Sequence, residues 1–154
     1  MLLLAIAVVI FFFLFTPKTI SFVNEETKEK QLIQLNTLVR EFLESKQSPL
    51  APDTEFLMGL KHWKLLIAVS AIESQYCKRQ LGYNCWGIGG DSAYRYYSSY
   101  QDAAQDANDL ITRWQARGRW LTVEDMNCHY VVPCNPNWVK IVNQNLQLLN
   151  GIEQ

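Results

Sequence analysis

Read for the spacing of its apolar positions, the chain divides into a hydrophobic leader, one amphipathic helix and a series of shorter helices. Leu2 to Phe15 is unbroken apolar sequence. In NEETKEKQLIQLNTLVREFLESKQ, Leu32, Leu35, Leu38, Val39, Phe42 and Leu43 recur at three-and-four spacing, which predicts an amphipathic helix from Glu25 to Lys46. SPLAPD follows with two prolines in six residues, a boundary or extended connector. Asp53 reads as the N-cap of a first helix reaching about Leu60. In Leu65 to Cys77 the residues Leu65, Leu66, Ala68, Val69 and Ile72 form the stripe of a buried helix. Cys77 to Tyr97 reads as loop. Ser99 with Asp102 makes a capping box for a helix with Ala103, Ala107, Leu110, Ile111 and Trp114 on one face, ended by Gly118. Thr122 and Asp125 repeat the box for a short helix. Asn135 as cap and Pro136 at the first helical position open the last helix, on which Trp138, Ile141, Val142, Asn145 and Leu149 share a face before Gly151. No segment alternates as a strand does, so the pattern is all-α.

Composition narrows the organisation. The 154 residues, 49% hydrophobic and 19% charged, leave room for one globular domain. Formal net charge is −1 and no dense Lys/Arg run occurs, so nucleic acid is discounted as a partner. As a helix, Leu2 to Phe15 reaches roughly 20 Å. Continuation past Pro17 to Val23 brings it to the length that crosses a hydrocarbon core of about 30 Å. The start carries no Lys or Arg, and LFTPKTISF offers no small-residue cleavage site. An uncleaved signal anchor is therefore favoured over a cleaved signal peptide. The expected division is a membrane anchor at 1–23, the amphipathic helix and Pro-containing linker at 24–52, and the folded domain at 53–154.

Cys77, Cys85, Cys128 and Cys134 fall in two local pairs around KRQLGYN and HYVVP. Four cysteines permit three connectivities. Local pairing, 77 with 85 and 128 with 134, is expected because each pair brackets a turn-rich segment. Neither pair has the spacing of a zinc knuckle, and His62 and His129 are too scattered for a metal site or a triad, so no metal or cofactor is expected. With an export segment ahead of them, the cysteines point to disulfides in an oxidising compartment outside the cytoplasm.

The buried stripe raises a question of chemistry, because a carboxylate, Glu73, follows it directly, with Val69 four residues before and Tyr76 three after. On one helix face all three would meet, and an unpartnered buried carboxylate is costly. The loop beyond it, GYNCWGIGG from Gly82 to Gly90, has three glycines in four residues beside Tyr83, Asn84 and Trp86. Amide and aromatic groups together suit a pyranose, whose apolar face packs on rings while its hydroxyls pair with amides. A Gly-rich connector with a core tryptophan is the other reading of the same residues.

AIESQYC, NCWGIGG, YRYYSSYQDAAQDANDLI and YVVPCNPNWVKIV, in that order, resemble the lysozyme-like peptidoglycan hydrolases. The resemblance is to bacterial glucosaminidases of the autolysin and flagellar type, and more distantly to soluble lytic transglycosylases. It spans roughly Ser48 to Leu149 and implies a lysozyme-like helical fold. It also implies a catalytic acid at Glu73, from a Glu-Ser pair ending a buried helix, and a saccharide groove lined by Tyr76, Asn84, Trp86, Tyr97 and Tyr130. The departures are Cys77 and Cys85, where those families commonly have glycine or an apolar residue. Ser74 lacks a base partner and reads as a helix-terminal hydrogen-bonding residue.

A carboxyl beside apolar groups stays protonated near neutrality and can protonate a leaving oxygen. Asp91, Asp102, Asp106, Glu124 and Asp125 are undistinguished candidates for a second carboxylate. Without one, two single-glutamate routes remain, assistance by the substrate's N-acetyl group or attack by a sugar hydroxyl. The expectation is a membrane-anchored, extracytoplasmic glycosidase acting on peptidoglycan or a related amino-sugar polymer, with hydrolysis by an endo-β-N-acetylglucosaminidase first. A lytic transglycosylase and a non-catalytic wall-binding domain are the alternatives.

Overall fold

The computed structural model describes residues 25–90 and 93–153. The anchor expected at 1–23 and the candidate Asp91 lie outside them. Among the described residues no helix is long and apolar enough to cross a membrane. By compactness the chain divides into Met1–Leu35 and Asn36–Gln154. In the first unit, residues 25–35 are helical, Lys30 pairs with Glu26 at 2.7 Å, and Leu32 and Ile33 are exposed.

The helix, α1, spans 25–45, and its second half belongs to the larger unit. There Val39 and Leu43 are fully buried, Phe42 is half-buried and Leu38 is exposed. The six-residue apolar face read from sequence is thus narrower than expected, since only Val39 and Leu43 reach the core. SPLAPD is not extended. Ser48, Leu50 and Ala51 are buried, and the backbone turns through a 3-10 segment at Ala51–Asp53 into α2, Thr54–Met58. Asp53 stands at the N-cap but makes no capping bond; its carboxylate accepts from Gln101 Nε2 at 2.8 Å instead.

α3, Trp63–Ser74, is the central helix and packs most extensively on α6, Pro136–Ile152. Leu66, Ile67, Ala68, Val69, Ser70 and Ser74 of α3 are buried, with Leu65 and Ile72 at the margin. On α6, Asn135 Oδ1 accepts from Asn137 N at 3.0 Å, Trp138, Val142, Asn145 and Leu149 are buried, and the helix continues through Gly151. α4, Tyr100–Gln115, buries Ala103, Ala104, Ala107, Asn108 and Ile111. Its box is half made, because Ser99 accepts from Asp102 N while the Asp102 carboxylate accepts from Ser98. The box of α5, Val123–Met126, is complete. Contrary to the strandless expectation, the loop after α3 contains an antiparallel ribbon, β1 at Gly89–Gly90 and β2 at Ala93–Tyr94, with Gly89 opposite Tyr94. Strands of two residues are too short to show alternation in sequence. The fold is mostly helical, with the ribbon as its one small sheet among the described residues.

Candidate active site

The last turn of α3 decides where Glu73 points. Gln75, Tyr76 and Cys77 all have positive φ, at 53°, 57° and 69°, so the helix stops at Ser74 and the chain reverses left-handedly. Three such residues in a row are costly without glycine, and local bonds hold them. Tyr76 N donates to Ser70 O at 2.9 Å, Arg79 N to Ser74 O at 2.8 Å, and Cys77 N to Ser74 Oγ at 3.0 Å. Ser74 Oγ in turn donates to Cys85 O at 2.7 Å, and Cys77 is bonded to Cys85. The helix end and the glycine loop are thus one tied unit.

Glu73 is half-buried, and Trp138 Nε1 donates to its Oε1 at 2.6 Å. Burial raises its pKa and the indole bond opposes the rise. Its position at the C-terminal end of α3, where carbonyl dipoles disfavour negative charge, acts in the same direction as burial. Gly87 faces the other oxygen: with φ of 62°, a Cβ there would stand 3.3 Å from Oε2. One oxygen is held by Trp138 and the other faces the Cβ-less side of Gly87.

Of the residues expected to line a groove, the structure brings Tyr130 closest. Its hydroxyl donates to the Trp86 carbonyl, its ring lies 5.7 Å from that of Trp138, and desolvation together with the charge of Glu73 pushes the phenol well up. Tyr97 and Tyr94 also influence that phenol. The Tyr97 hydroxyl donates to Asp106 Oδ2 at 2.7 Å, and burial, with Asp106 adding to it, pushes its pKa up to about 12. Asn84 and Trp86 are buried and face inward. Asn84 Nδ2 donates to Ile88 O at 2.7 Å and Arg95 O at 3.0 Å, and its Oδ1 accepts from Ile88 N at 2.9 Å. Trp86 donates its indole N–H to Leu66 O at 2.9 Å and walls an apolar pocket with Leu66, Val69 and Met126 that is far too small for a sugar ring. Both therefore shape the loop rather than offer surfaces to a ligand. Tyr76, carried off the Glu73 face by the left-handed reversal, bonds Asn145 and sets its ring edge 6.0 Å from Phe42.

Trp138 is the site residue that sequence reasoning left in the core. A donor-bearing aromatic one turn after the Asn135-Pro136 cap was the available signal. The described second-carboxylate candidates all have other partners: Asp102 with Ser98, Asp106 with Arg95 and Tyr97, Glu124 with Asn143, and Asp125 as a cap. Both cysteine pairs are bonded as expected, 77 to 85 and 128 to 134. Among the described residues no group of three His, Cys, Asp or Glu could hold a metal.

Neither a family model nor a curated protein matches the chain. Among solved structures it is similar to the glycoside hydrolase domain from Salmonella typhimurium FlgJ. The two share 22% identity with a TM-score of 0.44, over 80% of this chain and 89% of that one.

Proposed function

We propose that the chain cleaves the β-1,4-linked amino-sugar glycan of peptidoglycan with Glu73 as general acid. The carrying observation is the state of Glu73: a carboxyl kept towards its protonated form by burial, gripped at one oxygen by Trp138 and facing Gly87 with the other. A protonated carboxyl so oriented can hand its proton to the glycosidic oxygen as the C1–O bond breaks. Every described second-carboxylate candidate is engaged by other partners, which supports a route in which the sugar's own 2-acetamido oxygen stabilises C1 and water then completes hydrolysis. Attack by a ring hydroxyl of the same sugar would instead leave an anhydro end, the lytic transglycosylase outcome. The exported, membrane-attached location belongs to the same proposal, supported by two disulfides that persist only in oxidising compartments.

The experiment is digestion of purified peptidoglycan by the wild type and by Glu73→Gln, with mass spectrometry of the products. Reducing N-acetylglucosamine ends are expected from the wild type, and a rate at least about a hundredfold lower from the variant. Anhydro ends would replace hydrolysis by the transglycosylase route. Equal turnover by the variant would remove Glu73 as the acid, and binding without turnover by either would leave a wall-binding domain.

A further inference from the structure

A row of aromatic rings leads away from Glu73. Trp138 contacts Tyr130 at 5.7 Å, Tyr130 contacts Trp120 at 5.6 Å, and Trp120 stacks on Trp114 at 5.3 Å. At the far end the turn after α4, in RWQARGRW, folds back on itself. Arg117 N and Arg119 N both donate to the Trp114 carbonyl, at 3.1 and 3.0 Å, and Gly118 between them has φ of 71°. Both guanidinium groups are thereby set over one indole, 5.6 and 5.2 Å from the ring centre. A guanidinium resting on an aromatic face keeps its N–H edge free for a planar anion.

The other two arginines of this region are occupied, since Arg95 and Arg113 approach Asp106 at 2.6 and 3.9 Å. Arg117 and Arg119 are exposed and have no carboxylate partner among the described residues, and 113–119 contains no acidic residue. The Trp120 indole N–H beside them is buried without an acceptor. Two exposed cations seated on one indole, with no carboxylate beside them among the described residues, describe a place for an anion borne by the substrate.

We propose that Arg117 and Arg119 form a subsite for the free carboxylates of the peptide stems carried by the glycan strand. The inference rests on the reading of Glu73 as a glycan-cleaving acid, because the packed row of rings fixes the Arg117–Arg119 turn relative to that acid. It makes the stem peptide, and not the sugars alone, part of what the site recognises.

The test is co-sedimentation of the full chain carrying Glu73→Gln with peptidoglycan freed of phosphodiester polymers. Three forms are compared: native stems, stems with chemically amidated carboxylates, and glycan stripped of stems whose exposed lactyl carboxylates have been amidated. Adding Arg117→Gln and Arg119→Gln is expected to lower affinity for the native form about fivefold and leave the other two unchanged. Adding Arg117→Lys and Arg119→Lys instead should retain most of the affinity, and the native-form preference should fade as salt rises. Equal binding of all three forms, or an equal loss on all three from the double Gln change, would overturn the proposal. If the unmutated chain cleaves none of the forms yet the carboxylate preference persists, the subsite stands and the catalytic reading falls.

Discussion

Replacing Trp138 with Phe tests the site at its most specific bond. The indole is 2% exposed and donates to Glu73 Oε1 at 2.6 Å. Phenylalanine retains most of the ring packing against Tyr130 but removes the donor. The unfilled part of the ring pocket costs about 1 kcal/mol at any pH. The lost hydrogen bond costs about 1.5–3 kcal/mol while Glu73 is ionised and about 0.5–1.5 kcal/mol once it is protonated. The destabilisation by Trp138→Phe should therefore be larger above the titration of Glu73 than below it, by about 1 kcal/mol. Urea denaturation of wild type and variant at pH 4 and pH 8 measures this. The same substitution made on top of Glu73→Gln supplies the control, since a neutral amide acceptor makes the cost independent of pH. Removing a bond that favours the carboxylate also moves the alkaline limb of activity to higher pH. A cost in the Glu73 background that is flat with pH, or that falls as pH rises, would refute the assignment of the bond to the ionised acid.

Three further outcomes follow from the same geometry. Because burial raises the folded-state pKa of Glu73, its contribution to stability is full below the unfolded carboxyl range and lost as pH rises through the folded value; Glu73→Gln should gain stability relative to wild type between pH 4 and pH 8 in thermal melts. Gly87→Ala forces alanine to φ of 62° and sets a methyl 3.3 Å from Oε2; a loss of about 1–2 kcal/mol in denaturation and a fall in kcat are expected, and unchanged kcat would mean that Oε2 does not face the leaving group. Cys77→Ala with Cys85→Ala opens a loop of sequence separation 8, worth about 2.5 kcal/mol of unfolded-chain entropy, and should lower activity as well as melting temperature, because that bond ties the helix end to the Gly87 loop.

Legibility in the sequence followed length scale. The long helices announced themselves, because Ala103, Ala107 and Ile111, or Trp138, Val142 and Leu149, repeat over several turns. Local caps were legible where one side chain and one amide suffice, as at Ser99, Thr122 and Asn135. The three-residue left-handed reversal was not, since Gln75, Tyr76 and Cys77 have no intrinsic preference for positive φ and are held there by Ser74 and a disulfide. That one feature moved Tyr76 off the Glu73 face. Asn84 and Trp86 stand in the loop tied to the Glu73 helix, but which way a loop side chain points depends on tertiary partners such as Leu66 O and Arg95 O. The bond from Trp138 joins residues 65 apart, and no local pattern encodes it.

The site is built against its own stability, and its supports show why it can be. A carboxyl placed at the carbonyl end of a helix among apolar groups disfavours folding once ionised, and the left-handed residues after it add strain. Ser74 secures the helix end from beneath, Asn84 spends both its amide hydrogens on loop carbonyls, and Tyr130 fixes the carbonyl of Trp86 immediately before Gly87. Rigidity thus comes from side chains turned inward. Glutamine could also accept from Trp138, through a weaker bond but with no charge to bury. A protonatable group at the end of α3 is what the proposed proton donation needs.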